Sequence, residues 1–159
     1  MKIYLATDHA GFAHKEFLKK YFEEENSRGH LYEVLDFGAY AYDSDDDYPL
    51  PIHDMMHAIL IDWKLGLNSR AIIFGGSGQG EAMVANRYIG ARTTVYYGGN
   101  LDIVKLGREH NNANILSIGA RFVDVKELVQ AIEIFLNSSF TNEDRHVRRI
   151  EEIDMELKR

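Results

Sequence analysis

The chain has 159 residues, enough for one domain whose core needs no metal or disulfide staple. An apolar fraction of 45% beside 27% charged residues is that of a globular chain, not a disordered one. The sequence contains no cysteine, which excludes disulfides, thiolate nucleophiles and cysteine-held metals, and its net charge of -7 argues against nucleic acid as a partner. No apolar run approaches ~18 residues, so no membrane span is expected. The strand-like opening Lys2–Ala6 carries no basic leader, and a cytoplasmic address is expected.

Short β-like runs alternate with helical patterns along the whole chain. Ile3–Thr7 is predicted as the first strand, and Ala13–Glu24 as a helix that sets Phe17, Leu18, Tyr21 and Phe22 on one stripe. Glu33–Phe37 is a second strand, followed by an acidic loop to Tyr48. Pro49 and Pro51 open a helix in which Ile52, Met55, Met56, Ile59, Leu60 and Trp63 recur at helical spacing. Arg70–Gly75 is an apolar strand. A glycine-rich turn then leads into a helix at Gly80–Tyr88. Ala91–Tyr97 and Ile115–Gly119 are the last strands, Leu101–His110 and Lys126–Asn137 the helices after each. A final helix is predicted from Thr141, with Thr141 and Asp144 as an approximate capping box. This alternation predicts a single-domain, Rossmann-like α/β/α sandwich around a five-stranded parallel sheet.

Open parallel sheets bind ligands beyond the carboxyl ends of their strands. That rule selects Asp8–Gly11, Gly75–Glu81, the turn after Tyr97 and the turn at Gly119–Arg121. In Gly75-Gly76-Ser77-Gly78-Gln79-Gly80-Glu81 the glycines free backbone N–H groups to face a phosphate or a developing oxyanion. The segment lacks the lysine of a P-loop and the spacing of a dinucleotide fingerprint. Glu81 has two readings that stand side by side. It is a first-turn acid favoured by the helix dipole, or a carboxylate base facing a glycine-lined cavity. Arg145 and Arg149 are i,i+4 neighbours, a like-charge pair that an anion would relieve, although Arg149 could instead pair with Glu152. His53 and His57 have the spacing of a helical zinc pair, but no third ligand suggests itself, and packed histidines are the commoner outcome. The acidic run Asp43–Asp47 is expected to be a solvated loop that binds no calcium.

Taken in order, these segments resemble the type B ribose-5-phosphate isomerases and their galactose- and allose-6-phosphate isomerase relatives. The resemblance runs from Asp8-His9-Ala10-Gly11 through Asp47-Tyr48-Pro49, the glycine loop and Asn86. It continues through Arg108–Asn114, Ile118–Arg121 and Arg145-His146-x-x-Arg149. Many members carry a cysteine base where this chain has Gly75. A second branch lacks that cysteine and uses the glutamate, as the absence of cysteine and the presence of Glu81 suggest here.

The resemblance implies interconversion of ribose 5-phosphate and ribulose 5-phosphate through a cis-enediolate, with no metal and no organic cofactor; isomerisation of a tetrose, allose or galactose phosphate and non-catalytic sugar-phosphate binding are the alternatives. It implies Glu81 as the base, and His110 with Asp8 as the ring-opening relay. Ser77 and the backbone around Gly76, Gly78 and Gly80 would meet the oxyanion. Arg145 and Arg149 would clamp the phosphate near His9, Arg121 and His146, with Tyr48 and Asn111 against the sugar. It further implies a homodimer or tetramer with shared sites, Glu81 and His110 coming from different subunits. The last helix would then pack on the partner.

Overall fold

A computed structural model describes residues 1–155. Strands β1 (Lys2–Thr7), β2 (Glu33–Asp36), β3 (Arg70–Gly75), β4 (Thr93–Tyr96) and β5 (Ile115–Gly119) form one sheet in the order β2-β1-β3-β5-β4. Every pairing is parallel, with Thr7 opposite Phe74 and Gly75 opposite Gly119 at the carboxyl ends. The helices are α1 (Phe12–Ser27), α2 (Pro49–Lys64), α3 (Gln79–Ala85), α4 (Asp102–Asn111), α5 (Val125–Asn137) and α6 (Asp144–Ile153). None among the described residues is long and apolar enough to cross a membrane.

Strand residues point alternately to the two faces, so β3 feeds two cores. Ile72 and Phe74 pack with Leu18 and Phe22 of α1, Val104 of α4, and Leu128, Ile132 and Phe135 of α5. Ala71 and Ile73 pack with Ile52, Met55, Met56 and Ile59 of α2 and Ala85 of α3. Both faces are covered, as an all-parallel sheet requires. The β1/β3 neighbourhood is where the chain reverses its direction of travel across the sheet, the position beyond the strand ends at which open α/β sheets bind ligands.

Two predicted boundaries are corrected. The last helix starts at Asp144 after Glu143, with no side-chain cap. Thr141 instead donates its hydroxyl and its N–H to the carbonyl of Glu109, which ties the connection to α4 and removes Thr141 from any capping box. The helix predicted over Gly80–Tyr88 spans Gln79–Ala85, because Asn86 turns out of it and its side-chain oxygen accepts from the N–H of Thr93. The predicted domain runs to residue 159, and its last four positions lie outside the described residues.

Candidate active site

Two glycine-permitted contacts shape the loop after β3. Gly78 has φ +74, a left-handed conformation that costs glycine little, and its carbonyl accepts from the buried Ser117 hydroxyl at 2.6 Å. Gly80 lies under the ring of Tyr48, where a Cβ would approach Cζ to 2.7 Å. The N–H groups of Ala120 and Arg121 donate to the carbonyls of Gly75 and Gly76 at 2.8 and 3.2 Å, which fixes this loop to the end of β5. The Arg121 guanidinium lies over Gly76, 3.1 Å from where a Cβ would stand.

Glu81, on the first turn of α3, is only 3% exposed. A Cβ built on Gly75 would fall within its carboxylate, so that carboxylate sits directly over the last residue of β3. Burial holds the Glu81 carboxyl above the usual glutamate range; its own backbone N–H opposes this, and the nearby negative charge of Asp8 adds to it. Among the described residues no cation forms an ion pair with Glu81.

Asp8 caps the short turn after β1, accepting from the N–H of Ala10 at 2.9 Å. His9 is held by the acidic loop: one carboxylate oxygen of Asp46 lies 2.7 Å from its Nδ1 and accepts from its backbone N–H at 3.1 Å. That hydrogen bond raises the His9 pKa above 6.5, helped by the charge on Asp8 and opposed by burial and Arg121. The Asp43–Asp47 run is therefore not simply solvated. Asp46 was missed because nothing in the sequence separates it from its acidic neighbours; only the fold delivers it to His9. Asp8, His9 and Asp46 bring donor atoms within 4.8 Å of one another. Within this group one Asp46 oxygen is engaged by His9 and one Asp8 oxygen by the N–H of Ala10.

One chain thus brings together Asp8, His9, Tyr48, Gly76, Ser77, Gly78, Gly80, Glu81 and Arg121. It does not bring His110, Asn111, Arg145, His146 and Arg149 to the same place. Helix α4 descends from the carboxyl end of β4 to the amino end of β5, about 15 Å over its ten residues, and His110 and Asn111 end it there. Asn112 then turns in the left-handed region at φ 45. His146 stacks on His110 with ring centroids 4.4 Å apart, and is 4% exposed with no hydrogen bond to its Nε2. Burial, with Arg145 and His110, pushes its pKa below 6.5. Arg145 pairs with Glu143 at 2.8 Å; Arg149 makes no ion pair among the described residues, and the alternative partner Glu152 is not used. His53 and His57 share one neighbour, the Tyr88 hydroxyl, which lies 2.6 Å from His53 Nδ1 and 3.4 Å from His57 Nε2.

A parallel α/β sheet with a glycine loop and a buried carboxylate beyond its strand ends places the chain in the sugar-phosphate isomerase class. A sequence model of that class, ribose/galactose isomerase, matches residues 3–153, and the chain belongs to this family. Ribose-5-phosphate isomerase B of Mycolicibacterium paratuberculosis is 36% identical over 151 residues, covering 95% of this chain and 88% of the relative. The Mycobacterium tuberculosis protein of the same name is 36% identical over 152 residues, with 95% and 86% covered. A crystal structure of a ribose 5-phosphate isomerase from Thermotoga maritima superimposes with TM-score 0.84 at 34% identity, over 97% of each chain. Ribose-5-phosphate isomerase B from Mycoplasma genitalium, solved with bound ribulose-5-phosphate, gives TM-score 0.86 at 28% identity, over 99% of this chain and 96% of that one.

Proposed function

We propose that the protein interconverts ribose 5-phosphate and ribulose 5-phosphate through a cis-enediolate, with Glu81 as the base. The observation that carries this reading is the Glu81 carboxylate, buried without a cation over Gly75 and raised in pKa by that burial. A base that must take a carbon-bound proton works best with a pKa nearer the operating pH than an ordinary glutamate has. Glu81 takes the proton from C2 of the open-chain aldose and returns it to C1. Ser77 and the N–H groups of the Gly76–Gly80 loop meet the negative charge that develops on the carbonyl oxygen. Family membership and the relatives' activity support the substrate.

The separation of the two residue groups supports a site shared between subunits. Asp8, His9, Tyr48, Glu81 and Arg121 come from one chain; His110, Asn111, Arg145, His146 and Arg149 come from a partner whose last helix packs across the interface. His110 and Asp8 then relay the proton that opens the sugar ring, and the arginines hold the phosphate so that C1 and C2 face the base. The reaction needs no metal or organic cofactor, and the protein works in the cytoplasm.

The test is incubation with ribose 5-phosphate in deuterated water containing EDTA, followed by NMR. Deuterium appearing at C1 of ribulose 5-phosphate is expected. Binding of the sugar without exchange would make the protein a sugar-phosphate binder, and exchange only with allose or galactose 6-phosphate would move the reading to those substrates.

A further inference from the structure

At the end of the sheet opposite Glu81, a cavity of ≈ 910 Å³ opens between α2, β3, the α3–β4 connection and α4. Trp63 and Lys64 line it from α2, Arg70 from β3, Arg87 and Arg92 from the connection, and Arg108 from α4. Five cations face it and, among the described residues, no aspartate or glutamate lines it, in a chain whose net charge is -7. None of the five forms an ion pair within 4.0 Å of a described carboxylate.

The three inner guanidiniums are held in place without being neutralised. Arg70 donates to the carbonyls of Phe135 and Leu136, Arg108 to those of Ala113 and Ser138 and to the Asn112 side chain, and Arg92 to those of Asn112 and Gly90. Arg70 and Arg108 both stack on the Phe135 ring, at 5.5 and 5.8 Å. Burial, and then the charges of Arg70 and Arg92, push the Arg108 pKa down to about 10, which leaves it cationic at neutral pH. Two acids stand nearby, and the charge of Asp154 acts on Arg92 without closing to an ion pair. Asp62 stands behind the Ser69 hydroxyl and pairs with Lys2 and Tyr4, and Asp154 accepts from the N–H of Gly90 beside a smaller adjoining cavity. Carbonyl capping explains why Arg70 and Arg108 are buried. It does not explain why exposed Lys64 and Arg87 are added around the same opening.

We propose that this cavity binds a small anion carrying at least two phosphate groups, at a site separate from the sugar-phosphate site. Fixed guanidiniums suit phosphate oxygens, and two exposed cations at the rim suit a ligand with more than one charge. The volume exceeds what a single orthophosphate fills. The proposal does not depend on the isomerase reading.

Trp63, the only tryptophan in the chain, reports on the cavity directly. Inorganic pyrophosphate, titrated at constant ionic strength, is expected to change Trp63 fluorescence and shift its indole N–H resonance saturably. Orthophosphate should act about tenfold more weakly. In the Lys64→Gln/Arg87→Gln double variant the pyrophosphate affinity should fall about tenfold or more, with the thermal midpoint unchanged. Pyrophosphate bound instead at the sugar-phosphate site, between Arg121 of one chain and Arg145 and Arg149 of its partner, would give a Trp63 response that this double substitution leaves unchanged. No saturable Trp63 response up to about 10 mM pyrophosphate, or a response equal in wild type and double variant, would overturn the proposal.

Discussion

The Glu81 carboxylate occupies the space that a side chain on Gly75 would need. A side chain at position 75 and the present placement of Glu81 are therefore mutually exclusive. Gly75→Ala is expected to displace the carboxylate, lowering kcat about a hundredfold, as small misplacements of reacting groups do. Overpacking a buried strand end should also cost about 1–3 kcal/mol in a denaturant titration. An alanine variant with wild-type kcat would mean that the base is elsewhere.

Burial raises the Glu81 pKa above its ordinary 4.5, and the sign of the stability effect follows. Between the ordinary and the raised value the folded chain binds more protons than the unfolded chain. Stability therefore falls as pH rises through that window, and the deficit persists above it. Glu81→Gln should raise the melting temperature near neutral pH, with the gain shrinking as the medium is acidified toward 4.5. The same shift places the acidic limb of kcat/KM above the ordinary glutamate range. A melting temperature lower than wild type at neutral pH would contradict the burial account.

Asp46 holds His9 by both its ring Nδ1 and its backbone N–H. Removing that carboxylate in Asp46→Ala should lower the His9 pKa, read from the ring protons by NMR titration. The contribution of this pair to stability is present below 6.5 and is lost as pH rises through the raised value. The variant should therefore lose thermal stability at mildly acidic pH and little at alkaline pH. KM for the sugar phosphate should rise more than kcat falls, since His9 stands with Arg121 on the phosphate side of the proposed site. An unmoved His9 pKa would leave Asp46 with no more than a loop-closing role.

Glu81→Gln and His110→Asn chains, each nearly inactive alone, test the shared site when unfolded, mixed equally and refolded together. About half the dimers should be mixed, and in each of these one site collects both lesions and the other neither, giving roughly a quarter of wild-type activity. Mixed dimers demonstrated by native mass spectrometry without any recovery would place both residues in one site of one chain.

Much of this arrangement is legible without coordinates because its signals are local. Strand and helix periods alternate along the chain, and the spacing between Gly75 and Glu81 puts an acid on the first turn after a bare strand end. The strand order is not legible, since nothing in β4 or β5 alone says that β5 pairs with β3. Asp46 is invisible for a similar reason: its role depends on where a loop without periodicity folds back. Thr141 misleads because a helix-capping residue type serves here as a tertiary hydrogen-bond donor to Glu109.

Whether Glu81 moves the proton is decided by comparing Glu81→Gln with wild type on ribose 5-phosphate. Turnover and solvent deuterium incorporation are followed by NMR, with sugar-phosphate affinity measured on the same samples. The amide keeps the size of the acid and removes only its basicity. Turnover and exchange should therefore fall together by about a thousandfold, while affinity stays within about tenfold. Near-wild-type turnover with deuterium still entering C1 would contradict the assignment.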